Sequence, residues 1–390
     1  MRTIIFIIII ALLPGITTAG GGLDEVLSEV ERNNTTLAAY RKVLDANSLL
    51  ARTGNRPPDP EAEFGYLWGK PSVMGDRKDL SLVQRFDFPS AYAYRGRIAD
   101  LRDRQSGIEY QEKRSEVLHQ ARLLCIELTF QNALAREHRT RAEHARRIAE
   151  SYEKKFQAGE AGVLEYNKAR INLLSASQAL EHITIEQVTL LGELAKLNGG
   201  IPIAYSDSLF TLNPIPADFD QWYAGVSARN PQLQWLAEQL QVARTNERLE
   251  QALALPQFQA GYASEQVGTE QFSGLTVGLS IPLWEKRNTV KHARALTEAT
   301  QELQKDAGLQ FYQEMKLNHT RALALQQSIG QMRSGLQEYL NTPLLLKALE
   351  HGEISLTTYL QELAYYYNSR SELLQMEREL QLSLAALEKY

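Results

Sequence analysis

The sequence predicts a mostly α-helical protein with a small β part, in which one structural unit is present twice in tandem. Three observations predict it: a repeat that keeps register over the whole chain, two very long helical stretches, and two pairs of short strands with alternating character.

The repeat comes first because it sets the frame for everything else. Val30, Asn34, Leu37, Pro60, Gly65 and Tyr66 recur as Val226, Asn230, Leu233, Pro256, Gly261 and Tyr262, each 196 residues further on. Pro89, Gly159, Glu160, Tyr166, Leu180, Ile183 and Leu194 recur as Pro282, Gly352, Glu353, Tyr359, Leu373, Met376 and Leu387, at a spacing of 193. The spacing changes between the two strands of a pair, where a hairpin loop can differ in length. The first repeat runs over 20–197 and the second over 220–390, joined by a linker at 198–219 that is rich in Gly, Pro and Ser and has no helical period.

Each repeat opens with a helical segment, about 24–52 and 220–254. Two strands follow, at about 61–69 and 79–88 in the first repeat and at about 256–266 and 272–282 in the second. Strand side chains alternate between faces. Phe64, Tyr66 and Trp68 therefore share one face, as do Leu80, Leu82, Phe86 and Phe88, opposite Ser81, Arg85 and Asp87. In the second repeat Phe258, Ala260 and Tyr262, then Leu275, Val277, Leu279 and Ile281, face away from Thr276, Gly278 and Ser280. Apolar-out, polar-in alternation with aromatics is the pattern of a lipid-facing β-barrel; a small amphipathic sheet packed on helices would alternate as well.

Long helices are expected over roughly 93–157 and 288–350, each on the order of 95 Å at 1.5 Å per residue. That length implies a coiled coil or helical barrel. The return helices support this: Leu173, Ala176, Leu180, Ile183, Gln187, Leu190, Leu194 and Leu197 follow heptad steps, as do Leu373, Met376, Leu380, Ser383 and Leu387. The turns between long and return helix fall at 158–162 and 351–355, with glycine where the chain reverses.

The N-terminus reads as a secretory signal over 1–19: a basic Arg2, an apolar run from Ile4 to Leu13, and the small-residue site Thr17-Thr18-Ala19. The run is too short to span a bilayer as a helix. Gly20 stands where a lipoprotein would carry cysteine, and Cys125, the one cysteine, reads as a buried helix-face residue. A formal net charge of -5 without a basic block interleaved with aromatics argues against nucleic acid as a partner. No catalytic constellation, cofactor motif or metal-ligand cluster is evident, so an enzyme is not expected.

The whole mature chain resembles the TolC-like outer-membrane efflux family. The marks are Ala228-Arg229-Asn230-Pro231-Gln232-Leu233, the strand exits Phe86-Asp87-Phe88-Pro89 and Leu279-Ser280-Ile281-Pro282, and the turns Gly159-Glu160 and Gly352-Glu353, in that order within the repeats. Arg95-Gly96-Arg97 after the first exit resembles the heavy-metal branch. The resemblance implies a homotrimer whose strands form one β-barrel in outer-membrane lipid and whose helices form a periplasmic α-helical barrel. It makes the chain the channel of a tripartite efflux or type I secretion system, a passive conduit working with a periplasmic adaptor and an inner-membrane transporter. Four strands per chain, taken alone, would allow two, three or four copies.

The resemblance also assigns sites. Gly159, Glu160, Gly162, Gly352 and Glu353 would meet the adaptor. Glu165, Tyr166, Thr358, Tyr359, Gln361 and Glu362 would lie near the pore gate, with Thr358 and Gln361 standing where acidic residues commonly form a ring. Phe64, Tyr66, Trp68, Phe86, Phe88, Tyr262, Val277 and Leu279 would face lipid, and the loops Lys70 to Lys78 and Val267 to Gln271 would be extracellular. Arg136, Arg139, Arg141, Arg146, Arg147, Lys154 and Lys155 form a basic run read as a solvated helix face, or else as a docking surface for an acidic hairpin. The alternative to a channel is a secreted periplasmic coiled-coil scaffold with no membrane barrel.

Overall fold

The computed structural model describes residues 22–69, 75–211, 214–284, 286, 288–338 and 342–390. The expected signal segment 1–19 and residues 70–74 of the first strand loop lie outside them. The elements run α1 (Leu23–Asn33), α2 (Thr35–Ala51), β1 (Glu61–Leu67), β2 (Arg77–Phe86), α3 (Pro89–Gln157), α4 (Val163–Leu197), α5 (Phe219–Arg229), α6 (Pro231–Leu253), β3 (Gln257–Val267), β4 (Glu270–Ser280), α7 (Thr289–Glu338), α8 (Thr342–Glu350) and α9 (Leu356–Leu387). Both repeats therefore carry the same order. Among the described residues no helix is long and apolar enough to cross a membrane.

Two sequence expectations need correction. The opening helix of each repeat is two helices, broken at Asn34 (φ -65, ψ 119) and Asn230 (φ -62, ψ 117). At the second break the Asn230 side chain accepts the Leu233 N–H and Pro231 opens the new helix, where its missing N–H costs nothing. The stretch expected as one helix over 288–350 is helical in α7 and α8, on either side of residues 339–341, which lie outside the described residues. The strands are also shifted: Trp68 and Phe88 lie just beyond β1 and β2, and the β3–β4 connection is only Gly268-Thr269, because Gly268 takes the positive φ of 62° that such a tight hairpin uses.

The chain divides into two compact units. One holds the segment ending at Asn34 together with Gln120–Leu212 and Leu325–Leu382; the other holds Thr35–His119, Asn213–Ala324 and Ser383–Tyr390.

The second unit contains the sheet, a four-stranded antiparallel meander in the order β1-β2-β3-β4 that joins strands from both repeats. Its register sets Phe64 opposite Leu80, Leu82 opposite Tyr262, Phe86 opposite Phe258, Tyr262 opposite Leu275 and Phe258 opposite Leu279. Directly opposed residues share a face, so these side chains form one continuous apolar surface. It is uncovered: Leu275 and Val277 are each 86% exposed, and Phe64 is 68% exposed. The other face carries charge, with Arg85 paired to Glu61 and Arg77 to Asp79 and Glu265. Below the strands, Ala91, Ile98 and Leu101 of α3 pack on Val242, Leu249 and Ala252 of α6. The β2 exit is pinned there, since Asp87 pairs with Arg95 at 2.6 Å and accepts a hydrogen bond from Gln257 at 3.0 Å.

In the first unit α4 buries the heptad seam expected of it, with Ile183 and Leu194 fully inside and the other seam positions half-buried. Cys125 is buried, and desolvation pushes its thiol up to about 12. A second stripe on α4, made by Leu164, Ile171, Leu174, Ile185 and Val188, stays exposed.

Candidate functional site

The two helix turns belong to the first unit and are built alike. Gly159 and Gly352 have φ of 75° and 72°, a left-handed conformation that glycine adopts without strain. In one turn the Gly159 N–H bonds to the Phe156 carbonyl at 3.1 Å and the Glu160 N–H to the Lys155 carbonyl at 2.8 Å. In the other, Gly352 N–H bonds to Leu349 O at 3.2 Å and Glu353 N–H to Ala348 O at 2.9 Å. Every partner is displaced by the repeat spacing. The orphan carbonyls at the helix ends are thereby satisfied, as in a Schellman-type cap. Gly159, Glu160, Gly162, Gly352 and Glu353 are all exposed.

The return helices start with different caps. Glu165 reaches back to accept the Gly162 N–H at 3.2 Å. At the equivalent place in the second repeat the Ser355 hydroxyl accepts the Thr358 N–H at 3.1 Å and lies 3.0 Å from the Thr358 hydroxyl. Glu165 and Thr358, singled out as pore residues, are thus engaged in capping the start of a helix, although both remain exposed.

Tyr359 is not an exposed pore side chain. It is 2% exposed and belongs to a cluster with Ile148, Ala149 and Tyr152 of α3, Leu349 of α8, and Leu356 and Leu363 of α9. Burial there raises its phenol above the ordinary value. Its repeat mate Tyr166 is half-buried and stacks on Phe156, with ring centroids 5.1 Å apart. Gln361 and Glu362 are exposed on α9, and Lys168 of α4 donates to the Thr357 hydroxyl at 2.7 Å.

Most of the basic run is a solvated face; Arg141 and Lys155 are its two half-buried members. Arg141 donates to the Tyr367 carbonyl at 2.7 Å and the Ser371 hydroxyl at 2.8 Å, with its guanidinium 4.4 Å from the Tyr367 ring centroid. Arg136 donates to the Ser208 hydroxyl at 3.0 Å, and Lys155 lies over the Tyr152 ring. Arg139, Arg146, Arg147 and Lys154 are exposed. Three further links tie α3 to α9: His144 to the Tyr367 hydroxyl at 2.8 Å, Glu137 to Arg370 and Glu127 to Arg378, both at 2.6 Å. Sequence reasoning missed these partners. Acidic residues on α3 facing arginines on α9 are the only trace of them, and the pairing needs the register of two helices over 200 residues apart in the chain.

Of the residues assigned to lipid, Phe64, Trp68, Phe86, Tyr262, Val277 and Leu279 are exposed, while Tyr66 and Phe88 are half-buried. Arg95, in the tripeptide that resembles the heavy-metal branch, pairs with Asp87.

No protein-family model matches the sequence, and no curated protein matches it either. Solved structures do. The chain is similar to the Campylobacter jejuni CmeC outer membrane channel, with a TM-score of 0.77 and 16% identity over 94% of this chain and 84% of that one. It is similar to the outer-membrane channel OprN, with a TM-score of 0.80 and 13% identity over 94% and 89%. It is similar to the outer membrane protein VceC of Vibrio cholerae, with a TM-score of 0.77 and 14% identity over 94% and 95%. From its first described helix to its last, the chain has the TolC-like fold of these outer-membrane proteins.

Proposed function

We propose that this chain is the outer-membrane channel of a tripartite efflux or type I secretion assembly, a passive conduit from periplasm to exterior that works as a homotrimer. The observation that carries the reading is the sheet, which has one continuous uncovered apolar face, a charged opposite face, and strands β1 and β4 each paired on one side only.

An open sheet with these faces cannot sit in lipid alone, because its edge N–H and C=O groups would lack partners. In a meander, β4 of one copy runs antiparallel to β1 of the next, so copies can close a ring. Three copies give twelve strands, within the range of membrane barrels. The apolar band fits a membrane. From Tyr66, opposite Lys78, to Phe88 the chain covers roughly 33 Å along the strand direction, or about 25 Å across a bilayer at a tilt near 40°. Tyr66 and Trp68 mark one border and Phe88, Phe258 and Trp284 the other, as interfacial aromatics do.

The exposed stripe on α4 supports the same assembly, for apolar residues at heptad spacing call for a partner helix. The turns at Gly159 and Gly352, with the exposed Glu160 and Glu353, are the surface for a periplasmic adaptor recruited with an inner-membrane transporter. Gln361 and Glu362, rather than Tyr359, are the side chains of α9 free to border a pore. Nothing in the chain singles out a drug, a metal ion or a protein as cargo.

The test is to express the chain with its leader, fractionate the envelope, extract it in detergent, weigh the particle and record conductance in planar bilayers. Outer-membrane location, a mass of three chains and discrete conductance steps are expected. A soluble periplasmic monomer or dimer without conductance would overturn the channel and leave the coiled-coil scaffold.

A further inference from the structure

Between α3, α4 and α9 in the first unit lies a cavity of about 230 Å³, and no carboxylate lines it. The α3 wall presents His138, Arg141 and His144 at three-residue spacing, which puts them on one face. Asn172 and Ser175 come from α4, and the Tyr367 side chain from α9.

Arg141 is the unusual member. Its guanidinium has a carbonyl, a hydroxyl and a ring face as partners but no carboxylate within ion-pair distance, since Glu137 is taken by Arg370. The Nε of Arg141 is buried and unpartnered. A half-buried cation normally has a counter-charge, because removing it from water costs several kcal/mol otherwise. The remaining walls are apolar, including Ala145, Ile148, Leu360 and Leu363.

We infer that this cavity binds a small organic carboxylate, its charged end against Arg141 and the two histidines and its apolar end against Ile148, Leu360 and Leu363. The bound anion would tie α3, α4 and α9 together. The site lies within one chain, so it stands or falls separately from the channel reading.

Protonation adds a signature. Burial holds both histidines below the ordinary value, with Arg141 acting the same way on His138 and Arg147 on His144; Glu137 and Glu143 oppose. From α9 the titratable neighbours are Tyr359 and Tyr367, both raised by burial and so neutral here, and the charged Arg370, which is paired with Glu137; α4 contributes only the neutral Asn172 and Ser175. A carboxylate in the cavity favours the protonated imidazoles, so binding takes up protons and tightens as pH falls.

The experiment is benzoate titration of the detergent-purified full chain by calorimetry and thermal melting, against sodium chloride at equal ionic strength. Saturable heat, a melting temperature that rises with benzoate, and tighter binding at pH 5.5 than at pH 7.5 are expected. Arg141→Gln should weaken binding by about tenfold or more, as loss of a charge-assisted contact does. Ser175→Phe, at an exposed wall position that folding tolerates, should block the cavity and do the same. No saturable binding, inorganic phosphate binding in place of benzoate, or unchanged affinity in Ser175→Phe would each overturn the assignment.

Discussion

Replacing Leu275 by arginine separates a sheet in lipid from a sheet in water. Leu275 sits midway along β4 opposite Tyr262, is 86% exposed, and so has almost no packing within its own chain to lose. If the face meets water, the substitution is a surface change worth within about 0.5 kcal/mol. If it meets lipid, an arginine near the bilayer midplane costs about 2–4 kcal/mol. A barrel of three copies carries three such charges, for a total of about 6–12 kcal/mol if they act independently. That approaches the whole stability of an ordinary domain. The assay is folding into lipid vesicles, followed by heat-dependent gel mobility and a urea titration, with Gly274→Lys as control. Gly274 lies next along the strand on the charged face, with open space where a side chain would go. The Leu275 variant should insert poorly and the Gly274 variant normally. Equal insertion and equal urea midpoints for both would refute the lipid-facing assignment.

Valine at both Gly159 and Gly352 meets no neighbour but must adopt a positive φ, at about 1–2 kcal/mol each; efflux or secretion should fail while barrel insertion persists. Asp87→Asn removes the ion pair to Arg95, whose side chains are 15% and 25% exposed, and should lower the urea midpoint by an equivalent of about 1–3 kcal/mol. Cys125, with its thiol raised to about 12 by burial, should be inert to a thiol reagent at pH 8 and react at once in denaturant. His138 and His144 are held below their ordinary value, so the folded state binds fewer protons than the unfolded one. Their contribution is complete above about pH 6.5 and is lost as pH falls, and changing both to asparagine should flatten the acid side of a stability-against-pH curve.

Most of the architecture was legible because it follows from periodicity and repetition. The spacing from Gly159 to Gly352 located both turns, and heptad steps located the buried side of α4. The breaks were harder. Asn34 and Asn230 occur in matching places, yet asparagine inside a helical pattern reads as a mild blemish without its cap hydrogen bond. The site was less legible than the fold. Tyr166 and Tyr359 are equivalent in sequence, but how deeply a tyrosine is buried depends on what other helices lay over it: Tyr166 meets one ring of α3, Phe156, whereas Tyr359 is enclosed by residues of α3, α8 and α9. Arg141 looked like one charge among many because its partners are a carbonyl and a ring, which carry no sequence signature.

The unequal cover of the two tyrosines has a mechanical consequence. The second hairpin is fastened to α3 of its own chain through Tyr359, Arg370 and Arg378, whereas the matching surface of the first hairpin, with Phe156, Leu164 and Ile171, is left bare. In a closed ring, seams within chains that carry ion pairs beside an apolar cluster would then alternate with wholly greasy seams between them. Salt should weaken the ion pairs of the former and leave the latter, whereas mild detergent should act first on the latter. Such a ring has joints of two kinds, each addressable without disturbing the other.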